Sequence, residues 1–189
     1  MPSPLVVYDA CVLFPPALRD LLLRLAAAGL VRARWSERIL DEVFDNLRAR
    51  RPDLEAGRLL RTRRLMCEAI PECVVRGYER LVPGLFLPDP SDRHVLATAI
   101  HGKAGIIVTA NLRDFPAERL APHGVAAQHP DDFVLGLLER ADKVVLRVLE
   151  EQAGALRSPP LSVEDLMERL ARSGLARSMA RVEQLRRPG

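Results

Sequence analysis

The sequence predicts an α/β fold built on a parallel sheet and followed by a helical appendage. Short apolar runs rich in β-branched residues, Leu5–Tyr8 and Ile106–Thr109, alternate with longer stretches that repeat leucine at helical spacing. The strand runs are apolar at successive positions, as for strands covered on both faces. Beyond Pro130 strand-like runs cease and the helical period persists to the end of the chain.

In order, "LVVY" is the first strand. After Pro15-Pro16, "ALRDLLLRLAAAGL" is a helix that stops at Gly29, a usual C-terminal residue. "ARWSERILDEVFDNLRAR" contains a second helix opened by Ser36 as N-cap, with Ile39, Leu40, Val43, Phe44 and Leu47 on its apolar side. A third runs from about Asp53 to Ile70 and ends at Pro71. "CVVRGY" is expected to be the second strand. "LPDPSDRHVLATAIHGKAG" reads as a proline-rich loop, a helix starting at Ser91, and a stop at Gly105; "IIVT" is the clearest buried strand and "GVAAQ" a short last one. "DDFVLGLLERADKVVLRVLEEQ" is one long amphipathic helix, "RSPP" a loop, and "SVEDLMERLARSGLARSMARVEQL" two short helices split at Gly174. The expected division is 1–128 for the α/β domain and 129–189 for the appendage.

Composition narrows the function. Of 189 residues 48% are hydrophobic and 28% charged, ordinary for a single globular core, and aromatics at 4% are too few for a broad base-stacking platform. The net charge is only +3, with arginine nearly the sole base, which is compatible with nucleic acid. Cys11, Cys67 and Cys73 match no zinc spacing, and an odd count argues against a disulfide framework. The start lacks a basic signal-peptide region, and no apolar run approaches the ~20 residues of a membrane span, so a cytoplasmic protein with no membrane partner is expected.

The sharpest question is Asp9, a carboxylate ending an otherwise apolar strand. Such a residue can cap a turn, or it can be placed for chemistry. Asp92 opens the helix of "SDRHVLATAI", Asp114 lies just past the strand "IIVT", and Glu42 sits on the second helix with Asn46 at i+4 on the same face. Loops leaving the carboxyl ends of parallel strands converge on one crevice, so these groups are expected to meet. Two unit charges ~4 Å apart repel by about 4 kcal/mol at an effective dielectric of ~20, and a cation offsets that cost. Oxygen ligands without paired histidine or cysteine select Mg²⁺ or Mn²⁺, which can activate water for attack on a phosphodiester.

"VVYDACVL", "WSERILDEVFDNL", "DPSDRHVLATAI" and "IIVTANLRDFP" stand in the order and spacing of a PIN-domain protein, and over residues 4–130 the chain resembles VapC-type toxin ribonucleases. The resemblance implies a three-layer α/β/α sandwich and a metal-dependent endoribonuclease site, with Asp9, Glu42 and Asp92 as its acidic core and Asp114 completing it. The helical tail is similar to the C-terminal segment of some VapC-like members. The chain departs from the pattern at "VTAN", where Asn111 stands in place of an Asp common in PIN domains. An amide oxygen can ligate Mg²⁺ or position water, but it brings no charge. Thr109 is either a strand residue or a hydrogen-bonding partner of water or a carboxylate.

Arg93 and Arg113 neighbour the proposed ligands and suit phosphate; "RARRPDLEAGRLLRTRR" adds Arg48, Arg50, Arg51, Arg58, Arg61, Arg63 and Arg64, either an RNA surface or a solvated helix face. His94, His101, His123 and His129 show no ligand spacing and are expected at the surface or at helix ends; Trp35 is expected to pack. A haloacid-dehalogenase-type phosphatase would need a second Asp where Cys11 stands, and Cys11 has no nearby base to make it a nucleophile. The alternative function is a PIN-like domain that binds RNA or protein without turnover. Beyond RNA, the resemblance implies a small antitoxin partner, whose Arg or Lys is expected to reach Asp9, Glu42 or Asp92. Leu166, Met167, Leu170 and Leu175 either pack on the sandwich or form a homodimer or partner surface.

Overall fold

The computed structural model describes residues 3–155 and 160–187. Its centre is a four-stranded, all-parallel sheet in the order β2-β1-β3-β4, formed by β1 (Leu5–Tyr8), β2 (Arg32–Arg34), β3 (Ile106–Val108) and β4 (Ala126–Gln128). Val6, Val7 and Tyr8 in the central strand are fully buried, which accounts for the unbroken apolar run. Tyr8 stacks on Trp35, meets Phe133 edge-on, and donates its hydroxyl to the Leu22 carbonyl at 3.3 Å. Helices on both sides of the sheet complete a three-layer α/β/α sandwich.

Helices α1 (Ala10–Leu13) and α2 (Pro16–Ala27) connect β1 to β2. Helix α3 (Glu37–Arg50) begins at the expected cap, with the Ser36 hydroxyl accepting from the Ile39 N–H at 3.2 Å, and buries Ile39, Leu40, Val43, Phe44 and Leu47. Helix α4 (Ala56–Ala69) follows; α5 (Arg93–His101) packs across β1 and β3. A short helix, α6 (Ala117–Leu120), leads into β4.

Two expected elements differ. The second strand is Arg32–Arg34, while "CVVRGY" contributes one parallel bridge, Trp35 to Val74. Only Ala33 of "RAR" is fully buried, so this edge strand lacks an apolar run; the other segment turns away at Gly77, whose φ is +79°. Helix α5 stops at Gly102 rather than Gly105. A Cβ on Gly102 would lie 2.9 Å from the Thr98 carbonyl oxygen and 3.0 Å from Val75, a close approach that only glycine permits.

The C-terminal region is helical throughout its described part. Helix α7 (Pro130–Ala155) bends at Ala141, and α8 (Val163–Leu170) and α9 (Ala176–Arg186) flank a wide turn that contains Gly174 at φ +100°. Leu166, Leu170 and Leu175 are fully buried and Met167 partly so, in the same core as the sandwich. Of the expected "RSPP" loop, Arg157–Pro159 lie outside the described residues. No described helix is long and apolar enough to cross a membrane.

Asp131 on α7 joins this region together. Its buried carboxylate accepts the backbone N–H groups of Arg177 at 3.0 Å and Ser178 at 2.8 Å and the Ser178 hydroxyl at 2.6 Å, capping α9 from another helix. Burial alone would raise its pKa, but these hydrogen bonds and Arg177 together hold the carboxyl below its usual range. A depressed folded pKa contributes stability above the unfolded pKa of ~3.9 that is lost as pH falls. Asp131→Asn should therefore cost about 1–3 kcal/mol near neutral pH. Denaturant melts from pH 7 to 3 should show the gap between wild type and variant closing below about pH 4; a gap that does not change with pH would refute this role.

Candidate active site

The switch in strand order lies at β1, with β2 on one side and β3 on the other, and the crevice beyond the carboxyl ends of β1 and β3 is the expected place for a site. Asp9 leaves β1 there. Its N–H donates to the Val108 carbonyl at 3.1 Å, continuing the β1–β3 ladder by one residue. Its side chain is 7% exposed and fully engaged: Oδ1 accepts the Ala10 N–H at 2.7 Å, and Oδ2 accepts the Thr109 hydroxyl at 2.7 Å and the Cys11 thiol at 3.2 Å. Asp9 thus caps α1 and also lines the crevice.

Thr109 is fully buried just after β3, and its Oγ1 also accepts the Asn111 N–H at 3.0 Å. It is a positioning residue for Asp9 and Asn111. Desolvation and then the Asp9 carboxylate push the Cys11 thiol up to about 12, so no thiolate nucleophile is available near neutral pH.

A cavity of about 400 Å³ opens at this point, lined by Asp9, Ala10, Cys11, Phe14, Glu42, Asn46, Arg50, Asp92 and Asn111. Glu42, Asn46 and Arg50 follow at i, i+4 and i+8 along α3, so one stripe of that helix forms a wall. Glu42 is half-exposed, lies 3.5 Å from Arg38, and approaches His94 Nε2 to 2.8 Å. The ring N–H is not aligned on the carboxylate, so this is a close polar contact rather than a formed hydrogen bond. His94, expected at the surface or at a helix end, stands in the first turn of α5 but is only 1% exposed, on the inner side of the helix. The signal for it is the spacing in "SDRH", which places it two residues beyond Asp92 in the first helical turn.

Asp92 ends a 3₁₀ turn, Pro90–Asp92, and forms the N-terminal boundary of α5. Desolvation first, then the charges of Asp9, Asp89 and Asp114, push its pKa up to about 6, against a small opposing effect of His94. Asp114 does not line the cavity. The Asn111 side-chain amide donates to it, and its charge is felt at Asp92. Arg93 lies with its guanidinium 5.6 Å from the ring centroid of exposed Phe86, and its Nε is buried without a hydrogen-bond partner among the described residues. Arg113 is exposed on the short turn that carries Asp114. Arg50 stacks 5.2 Å from the Phe14 centroid at the cavity edge.

Could these residues hold a divalent cation? Among the described residues, no three His, Cys, Asp or Glu side chains converge closely enough to ligate one ion by themselves. The donors present are nevertheless hard oxygens, and Asp92 is raised first by its own desolvation and then by like charges, the second of which a cation would offset. Mg²⁺ keeps several waters and takes only one or two carboxylates plus substrate phosphate, so the donor set suits an ion of that type.

Comparison with known proteins identifies the family of the two regions. Residues 5–113 match the PIN domain, and residues 130–184 match the VapC50 C-terminal domain. A protein of Mycobacterium tuberculosis (strain ATCC 25618 / H37Rv) named "Putative ribonuclease VapC50" is 39% identical over 79 residues, which cover 42% of this chain and 47% of that protein. The match thus spans about half the length of that relative. No solved structure matches. With its parallel sheet, its crevice at the strand-order switch and its helical tail, the chain belongs to the PIN-domain family, as a VapC-like member with a C-terminal extension.

Proposed function

We propose that this protein is a metal-dependent endoribonuclease and the toxin of a type II toxin–antitoxin pair, with 1–128 as the nuclease domain and 129–189 as its extension. The observation that carries the reading is the convergence of Asp9, Glu42, Asp92 and Asn111 on one cavity at the switch point of the sheet. Asp9 and Asp92 would hold Mg²⁺ or Mn²⁺, with Glu42 at the outer edge and Asp114 acting through Asn111 and by its charge. Bound there, the cation would supply activation of water and polarisation of a phosphoryl oxygen.

The remaining work falls to the chain's own residues. Thr109 holds Asp9 and the Asn111 backbone in one orientation, so the oxygens need no rearrangement when RNA arrives. Asn111 and Glu42 would position water and substrate. Arg93 and Arg113 would meet phosphate oxygens, Arg93 in a partly desolvated setting where a guanidinium–phosphate contact is stronger than in water. The antitoxin would bring an Arg or Lys to Asp9, Glu42 or Asp92 in competition with the ion. A second reading, RNA or protein binding without turnover, is favoured by Asn111 and by the lack of three converging ligands among the described residues.

Purified protein with Mg²⁺ or Mn²⁺ should cleave structured RNA, lose that activity in EDTA, and fall at least 10²-fold as Asp9→Asn, about 2.7 kcal/mol of barrier. RNA binding unaffected by metal and by Asp9→Asn, with no cleavage, would instead support the binding-only reading. Asn111→Asp should lower the Mn²⁺ concentration needed for half-maximal thermal stabilisation and destabilise the metal-free protein by added repulsion; if neither quantity moves, Asn111 lies outside the coordination shell.

A further inference from the structure

The seven arginines of "RARRPDLEAGRLLRTRR" are sorted by their partners. Arg48 pairs with Asp45, Arg51 with Asp53, Arg63 with Glu37 and Asp41, and Arg64 with Glu68. Arg50, Arg58 and Arg61 have no carboxylate within ion-pair distance among the described residues. Arg50 and Arg58 face a groove of about 550 Å³ between the end of α3, the start of α4 and the α1–α2 turn. Its floor carries Leu47, Leu54 and Leu59; Arg19 and Arg51 complete four guanidinium groups, and no carboxylate lines it among the described residues.

Phe14 and Arg50 line both this groove and the carboxylate cavity, so the two are neighbours on the surface with the stacked Arg50–Phe14 pair at their shared edge. The cavity is acidic and the groove beside it basic. An acidic cavity repels a polyanion unless the strand is held by cations close by, and the groove supplies them. We infer that the groove carries a single-stranded segment of the RNA on one side of the scissile phosphate, with Arg50 and Arg58 on consecutive backbone phosphates and apolar base faces against Phe14 and the leucines. This rests on the ribonuclease reading for the location of the scissile bond. The occupant is RNA rather than a peptide because the unpaired charges are guanidinium groups set beside a site for phosphodiester chemistry.

The test measures binding without turnover: anisotropy of a fluorescein-labelled oligouridylate on the Asp9→Asn protein in EDTA, across a salt series. Adding Arg50→Ala and Arg58→Ala together should weaken binding at least tenfold at low salt and lower the slope of log Kd against log salt by about 1.4, at about 0.7 per lost phosphate contact. Arg58→Ala alone, at an exposed position, should lower it by about 0.7. Arg119→Ala, exposed on α6 beside the opposite edge of the sheet, should change neither quantity. Unchanged affinity and slope in the double variant would overturn the inference, as would an equal loss with Arg119→Ala; so would a variant that keeps RNA but releases a protein partner. Groove-dependent binding in a protein that cleaves no RNA would uphold the groove as a strand-binding surface and refute the ribonuclease reading together with the scissile position it supplies, and cleavage that ignores Arg50 and Arg58 would overturn the inference and leave that reading standing.

Discussion

The site hangs on one hydrogen bond, from the Thr109 hydroxyl to Asp9 Oδ2, which ties the ends of the two central strands together. Parallel pairing sets β1 and β3 in register, with Tyr8 opposite Val108, and the Asp9 N–H adds one more rung to the ladder. The residues that follow are then fixed side by side. Thr109 donates to the carboxylate and accepts the Asn111 N–H, so one hydroxyl orients a charged oxygen from β1 and a polar loop from β3. Hydrogen bonds to charged acceptors are worth about 1.5–3 kcal/mol, enough to hold a carboxylate that is nearly out of water.

Holding that carboxylate has an electrostatic cost which spreads through the site. Asp92 carries it most visibly, its pKa pushed up to about 6 by desolvation and by Asp9, Asp89 and Asp114. Within the cluster the Asn111 amide donates to Asp114, and His94 lies close to Glu42 without a formed hydrogen bond. A site in that condition has a standing preference for cations, whether a metal ion, an arginine from a partner, or the protein's own Arg50 at the cavity edge. The stabilising interactions of the molecule lie elsewhere, in the apolar sheet interior and in the Asp131 cap that fixes α9.

How much of this could be read from the residues depends on how local each signal is. The strands Leu5–Tyr8 and Ile106–Val108, the Ser36 cap and the Gly174 break were all legible, because apolar runs, caps and glycine turns are written in adjacent residues. Asp9, Glu42 and Asp92 line one crevice, as the topology of parallel sheets and the family resemblance imply, whereas Asp114, expected to meet them, does not line it and is bound by the Asn111 amide. The edge strand Arg32–Arg34 was not, since its pairing comes from β1 and not from any pattern of its own. His94, expected at the surface or a helix end, is in the first turn of α5; its burial was not legible because the helix is buried on nearly all sides, so hydrophobic periodicity gives no inner face to assign it to. The remote cap at Asp131 joins residues 46 and 47 positions apart, and no local motif announces it.

The proposed role of this cluster is to hold a divalent cation. A crystal grown or soaked with Mn²⁺ and measured at the manganese absorption edge tests it directly, because the anomalous signal locates the ion without reference to activity. A single strong peak is expected in the cavity between Asp9 and Asp92, with waters completing its coordination, and that peak should be lost in Asp9→Asn. A cavity free of manganese at a concentration that supports RNA cleavage, or an ion bound only elsewhere on the chain, would contradict it.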